Sequence, residues 1–174
     1  MRIESEIENN LDEYIRHHFH ADEPWNPVPE TGVSGLRSDG IAKSSKDLSE
    51  SQISDLDDLL GNVGESFHTM LFRFIDEKGL SDVEVYRRAG MDRKLFSKIR
   101  SNPSYHPRKN TVLVLAIALA LTQDETDTFL ASAEYALSDA NRGDLIIRYF
   151  LSHGVYDLEK LNNALAAYGQ PILQ

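Results

Sequence analysis

The sequence predicts an all-α protein, and three observations carry that expectation. Apolar residues recur at spacings of three and four in one stretch after another; no stretch alternates apolar and polar residues over the length of a strand; and Ser, Thr, Asp, Asn and Gly fall where helices would begin and end. With 174 residues and 41% hydrophobic content, the chain can bury one core of ordinary size but hardly two full domains.

Residues 3–19 place Ile3, Ile7, Leu11, Tyr14, Ile15 and Phe19 on one stripe of an amphipathic helix with an acidic opposite face. That stripe needs a surface, either the chain's own core or a second chain. From Asp22 to Glu30 three prolines forbid helix, and Thr31 to Lys46 is rich in Gly, Ser and charge, so 21–47 reads as a linker. Trp25 within it either anchors a partner or packs on the neighbouring helix. Leu48 to Leu60, with Ile53, Leu56, Leu59 and Leu60 on one face, predicts a short acidic helix ended near Gly61 and Gly64. Phe67, Met70, Leu71, Phe74 and Ile75 form the cleanest helical pattern in the chain, stopped at Lys78-Gly79.

Ser81 is a good N-cap for a helix reaching Ala89; Gly90 supplies the positive φ of a sharp turn, Met91 tucks in behind it, and Asp92 caps a helix from Arg93 to Arg100. Phe96 and Ile99 form its inward pair, while Arg93, Lys94, Ser97, Lys98 and Arg100 mark its outer face. Two short helices joined by a tight glycine turn constitute a helix-turn-helix motif. Asn102 to Asn110 is a loop by its prolines and turn formers. Asn110 is expected to cap an apolar central helix from Thr111 to Leu121, and Thr122 or Asp124 to start the next, with Phe129, Leu130, Ala133 and Leu137 inward. Ser138 or Asp139 would begin a third, bearing Leu145, Ile146, Tyr149 and Phe150 and stopped by Gly154. Asp157 caps a last one with Leu158, Leu161, Leu165 and Tyr168, ended by Gly169 and Pro171. The organisation is therefore an acidic helix at 1–20, a linker at 21–47, a helix-turn-helix domain at 48–137 with its motif at 81–101, and a helical extension at 138–174. That extension serves either the core or a dimer contact.

A net charge of −10 argues at first against a nucleic-acid partner. The average conceals an asymmetry: residues 1–64 hold 5 Lys/Arg against 14 Asp/Glu (−9), residues 65–110 hold 10 against 6 (+4), and residues 111–174 hold 3 against 8 (−5). Only the segment containing the motif is basic. The sequence has no cysteine, which excludes disulfides, zinc thiolates and a thiol nucleophile. The first residues lack the pattern of an export signal and the apolar run from Val112 to Leu121 is too short to span a bilayer, so a cytoplasmic protein without a membrane role is expected. His17, His18 and His20 lack the i, i+4 spacing of a metal pair, and no phosphate loop, nucleophile elbow or His-Glu-x-x-His pair is present. The expectation is a non-enzyme with neither metal nor cofactor.

The stretch 81–101 resembles the Xre/Cro-type, lambda-repressor-like helix-turn-helix family, through Ser81, the run Ala89-Gly90-Met91-Asp92, the Arg93-Lys94 start and the Ser97-Lys98-Ile99 run. The match is carried by these 21 residues, and covers just over a third of the chain if 65–129 is counted as the family's five-helix unit. Two positions depart: Asp82 stands where the family usually has Gln, and Tyr86 where it usually has a small Ala. The resemblance implies a lambda-repressor-like bundle and a transcriptional regulator that binds double-stranded DNA as a homodimer. Arg93, Lys94, Ser97 and Lys98 would then read base edges in the major groove, each good bidentate contact discriminating by about 1–3 kcal/mol. Ser81, Arg100, Arg108 and Lys109 would hold phosphates. The alternative is a protein-interaction module, an adaptor or antitoxin-like partner that keeps the fold without DNA readout and grips another protein through the N-terminal helix and Trp25.

Overall fold

The computed structural model describes residues 2–18, 50–61 and 64–173. The expected linker at 21–47 with its Trp25, together with Phe19, His20 and Leu48, lies outside these residues, as do the side chains of Ile3, Ile7 and Leu59. The described residues form helices and no strand: α1 (Arg2–His18), α2 (Glu50–Gly61), α3 (Phe67–Glu77), α4 (Asp82–Arg88), α5 (Arg93–Ser101), α6 (Lys109–Ala118), α7 (Gln123–Ser132), α8 (Arg142–Ser152) and α9 (Leu158–Ala167). The protein is all-α. Two compact units divide it, Met1–Ala21 with Glu65–Gln174 and, separately, Asp22–Gly64, to which α2 belongs. On α2 itself Ile53, Leu56 and Leu60 share one face and are exposed.

In the larger unit α6 is the central helix, because its sequence leaves it no polar face: every side chain from Thr111 to Ala118 is buried. It packs against α4, α7 and α9. Phe129 of α7 lies between Phe67 and Phe74 of α3, with ring centroids 5.1 and 5.9 Å away. The second buried helix is α8, covered by α1, α7 and α9. Leu11 and Ile15 of α1 are buried, Tyr14 meets Tyr149 edge-on at 5.2 Å, and the Tyr168 hydroxyl donates to Asp12. Of the two surfaces open to the N-terminal stripe, Leu11 and Ile15 take the chain's own core, each burial stabilising by roughly 1.5–3 kcal/mol. Leu161 and Leu165 of α9 are buried too, so the apolar faces of 138–168 are spent within the chain.

Helix ends differ from the sequence expectation where the stop carries no glycine. The central helix begins at Lys109 with Arg108 as N-cap, not at Asn110, and finishes at Ala118 rather than Leu121. Ala120 adopts φ 50° there, and Leu121 N–H reaches back to the Ala116 carbonyl at 3.0 Å, the six-to-one bond that closes helices at Gly79, Gly90, Gly154 and Gly169. Glu134, at φ 63°, ends α7 in the same way, which leaves Leu137 buried but beyond the helix. Similarly α8 starts after Asn141, not at Ser138 or Asp139, because the Ser138 amide turns inward to donate to Asp144 Oδ2 at 2.9 Å. No described helix is long and apolar enough to cross a membrane.

Candidate nucleic-acid interface

The surface worth attention is built by α4, the turn after it and α5. Ser81 opens α4 with a reciprocal capping box: its Oγ accepts from the Glu84 amide, and Glu84 accepts from the Ser81 amide at 2.8 Å and hydroxyl at 2.7 Å. Those bonds, the backbone one foremost, hold the Glu84 carboxyl below its ordinary pKa. Gly90 has φ 58°, and a Cβ there would come no nearer than 4.0 Å to Leu158 Cδ2, so the glycine answers a backbone need and not a lack of room. Met91 N–H closes the turn on the Tyr86 carbonyl at 2.8 Å, and Asp92 caps α5 through the Lys94 amide.

Phe96 and Ile99 point into the core, with Leu95 half-buried beside them. Phe96 takes the rings of Phe72 and Tyr86 as neighbours, at 6.3 and 6.1 Å; the bulky Tyr86 is accommodated as a half-buried member of this cluster. The inward pair dictates the outer face. Arg93, Lys94, Ser97, Lys98 and Arg100 are all exposed, and at 100° per residue they fall within an arc of about 160°. Four cations thus share one side of a helix of nine residues, about 13 Å long. Lys98 Nζ lies 5.3 Å above the centre of the Tyr105 ring, in the loop that follows. Arg87 and Arg88, exposed at the end of α4, form no ion pair with Glu84 among the described residues.

The expected phosphate contacts sort differently. Arg108 is exposed. Lys109 is turned inward, its Nζ donating to Asp144 Oδ2 at 2.6 Å, and the Asp144 side chain is only 9% exposed. Arg100 donates through Nη1 to Asp82 Oδ1 at 2.7 Å, its guanidinium stacked 4.6 Å over the Phe72 ring, and its carbonyl accepts from His68 Nε2 at 3.1 Å. Ser81, Arg100 and Lys109 are therefore already joined to carboxylates of this chain, whereas Arg93, Lys94, Ser97 and Lys98 have no hydrogen-bond or ion-pair partner through their side chains among the described residues. Sequence reasoning placed Asp82 and Arg100 separately but missed their pairing, which spans 18 positions and leaves no local pattern. It also missed Tyr105, whose only sequence signal is an aromatic residue in a loop of turn formers. His18, from the trio near the N-terminus, stacks on Tyr14 and bonds its carbonyl at 2.9 Å; among the described residues no group of three potential metal ligands gathers. Compared with known proteins, the chain matches no family model, no curated protein and no solved structure.

Proposed function

We propose that the chain is a sequence-specific DNA-binding regulator of lambda-repressor-like type that lays α5 in the major groove. One observation carries this reading: α5 buries Phe96 and Ile99 and thereby presents Arg93, Lys94, Ser97 and Lys98 together on one face, exposed and with no side-chain hydrogen bond or ion pair among the described residues. A helix with that spread of donors suits a groove about 12 Å wide, where Arg and Lys donate to guanine O6 and N7. Steering by a +4 segment in a −10 chain would act only at short range in physiological salt, so affinity depends on close contacts. Arg108 serves as a phosphate contact, and Lys109 serves the fold instead. Two copies would occupy half-sites about one helical turn apart. Their contact does not use the apolar faces of α8 and α9, which are spent inside the chain. In this reading the protein is cytoplasmic, catalyses no reaction and needs no cofactor.

The internal pairing of Ser81, Arg100 and Lys109 favours a second reading, a protein-interaction module on the same fold without DNA readout. Selection from random duplexes separates them. The regulator enriches a motif that disappears when Arg93, Lys94 and Lys98 are all replaced by Ala; no enrichment by the wild-type chain at about 50 mM salt leaves the second reading.

A further inference from the structure

Arg100 follows Arg93 by seven residues, so it continues the same stripe of α5 two turns on, about 10.5 Å along the axis. Of its donors only Nη1 is engaged by a side chain, through a single bond to Asp82 Oδ1, and the pair is open to water, with the two side chains 55% and 36% exposed. The ring of Phe72 supports the guanidinium plane from below. Exposed ion pairs of this kind are weak, and a phosphate oxygen competes for the same planar fork. The other carboxylate partnerships of this surface are of a different sort. Glu84 belongs to the capping box of its own helix, and Asp144 holds Lys109 in a nearly buried site.

We propose that Asp82 is an exchangeable stand-in for phosphate: it holds Arg100 on the outer stripe in the free protein, a duplex phosphate takes that place on binding, and Asp82 thereby limits the strength and salt dependence of DNA binding. The inference rests on the DNA-binding reading. Exchange leaves the Asp82 carboxylate facing the phosphate, and a cation drawn from solution to screen it offsets part of the counterion release that Arg100 would otherwise gain. Neutralising Asp82 removes that offset. At a separation of about 4 Å in water one unit charge alters an equilibrium by roughly fivefold.

The test uses the full chain and a labelled duplex of about 30 base pairs of mixed sequence, followed by anisotropy from about 20 to 200 mM salt. Asp82→Asn is expected to bind roughly three- to tenfold more tightly than wild type, with a log–log salt slope steeper by about 0.9. In an Arg100→Gln background the same change is expected to give less than half that gain, which ties the effect to the pair. Glu13→Gln, an equal charge change at an exposed position of α1, controls for net charge. If wild type binds and Asp82→Asn binds no better than Glu13→Gln, or gains as much without Arg100, the exchange is refuted and the DNA reading stands. If neither wild type nor Asp82→Asn binds at the lowest salt, both fall.

Discussion

Replacing Lys109 by Met tests how much the fold depends on the pairing of Lys109 with the nearly buried Asp144. Methionine keeps the apolar stem of the lysine and deletes only the ammonium. The Asp144 carboxylate, 9% exposed, then retains the Ser138 amide at 2.9 Å and loses its 2.6 Å partner. Breaking a buried pair from one side costs about 3–5 kcal/mol; Lys109 is 29% exposed, so water relieves part of the loss, and about 2–3 kcal/mol is expected. For a chain of this size that corresponds to a fall in Tm of roughly 5–10 °C. Asp144→Asn preserves an acceptor for Ser138 and lets the lysine swing to water, so about 1–2 kcal/mol is expected. The double variant should cost less than the sum of the singles by about 1–2 kcal/mol, because the second change removes a charge the first left stranded. Urea unfolding at pH 7 with a common m-value measures all three. Single variants within about 0.5 kcal/mol of wild type, or a strictly additive double, would refute the argument.

The helix stops provide a reciprocal pair: Gly90→Ala should destabilise and Ala120→Gly stabilise, each by about 1 kcal/mol, the left-handed penalty less the flexibility of glycine, read in the same urea assay. Leu11→Ala should cost about 2–4 kcal/mol if α1 is an integral part of the core, whereas a loss under about 0.5 kcal/mol would mean a detachable helix. Acid should weaken the fold through Glu84 and Glu125, whose carboxyls sit below their ordinary pKa because the capped amides of Ser81 and Thr122 bond them. Their stabilisation is complete above the unfolded carboxyl value and disappears as pH falls through the lowered folded values, and Glu84→Gln with Glu125→Gln, which removes the titrating carboxyls while keeping acceptors for the two amides, should flatten a plot of stability against pH in that window.

Much of this architecture was legible because it is local. Ser81, Asp92, Thr122 and Asp157 are caps whose partners lie two or three residues on, and Phe96 and Ile99 name the buried face of α5 from spacing alone. The stops at Ala120 and Glu134 were not, since a left-handed residue other than glycine leaves no signature in the local sequence. Nor were Lys109–Asp144 and Asp82–Arg100, which join residues 35 and 18 positions apart. That limit fell hardest on the candidate site. The exposed cations of the outer face could be read from periodicity, while the carboxylates that occupy Arg100 and Lys109 lie far away along the chain.

The most direct test of the central claim follows the backbone amides of the folded chain by NMR as a duplex carrying the selected motif is added. Shifts concentrated in residues 93–101, with Arg108 and the Tyr105 loop beside them, and fading as salt is raised, are the expected result. Shifts confined to α1, α8 and α9, or an unchanged spectrum at low salt, would contradict it.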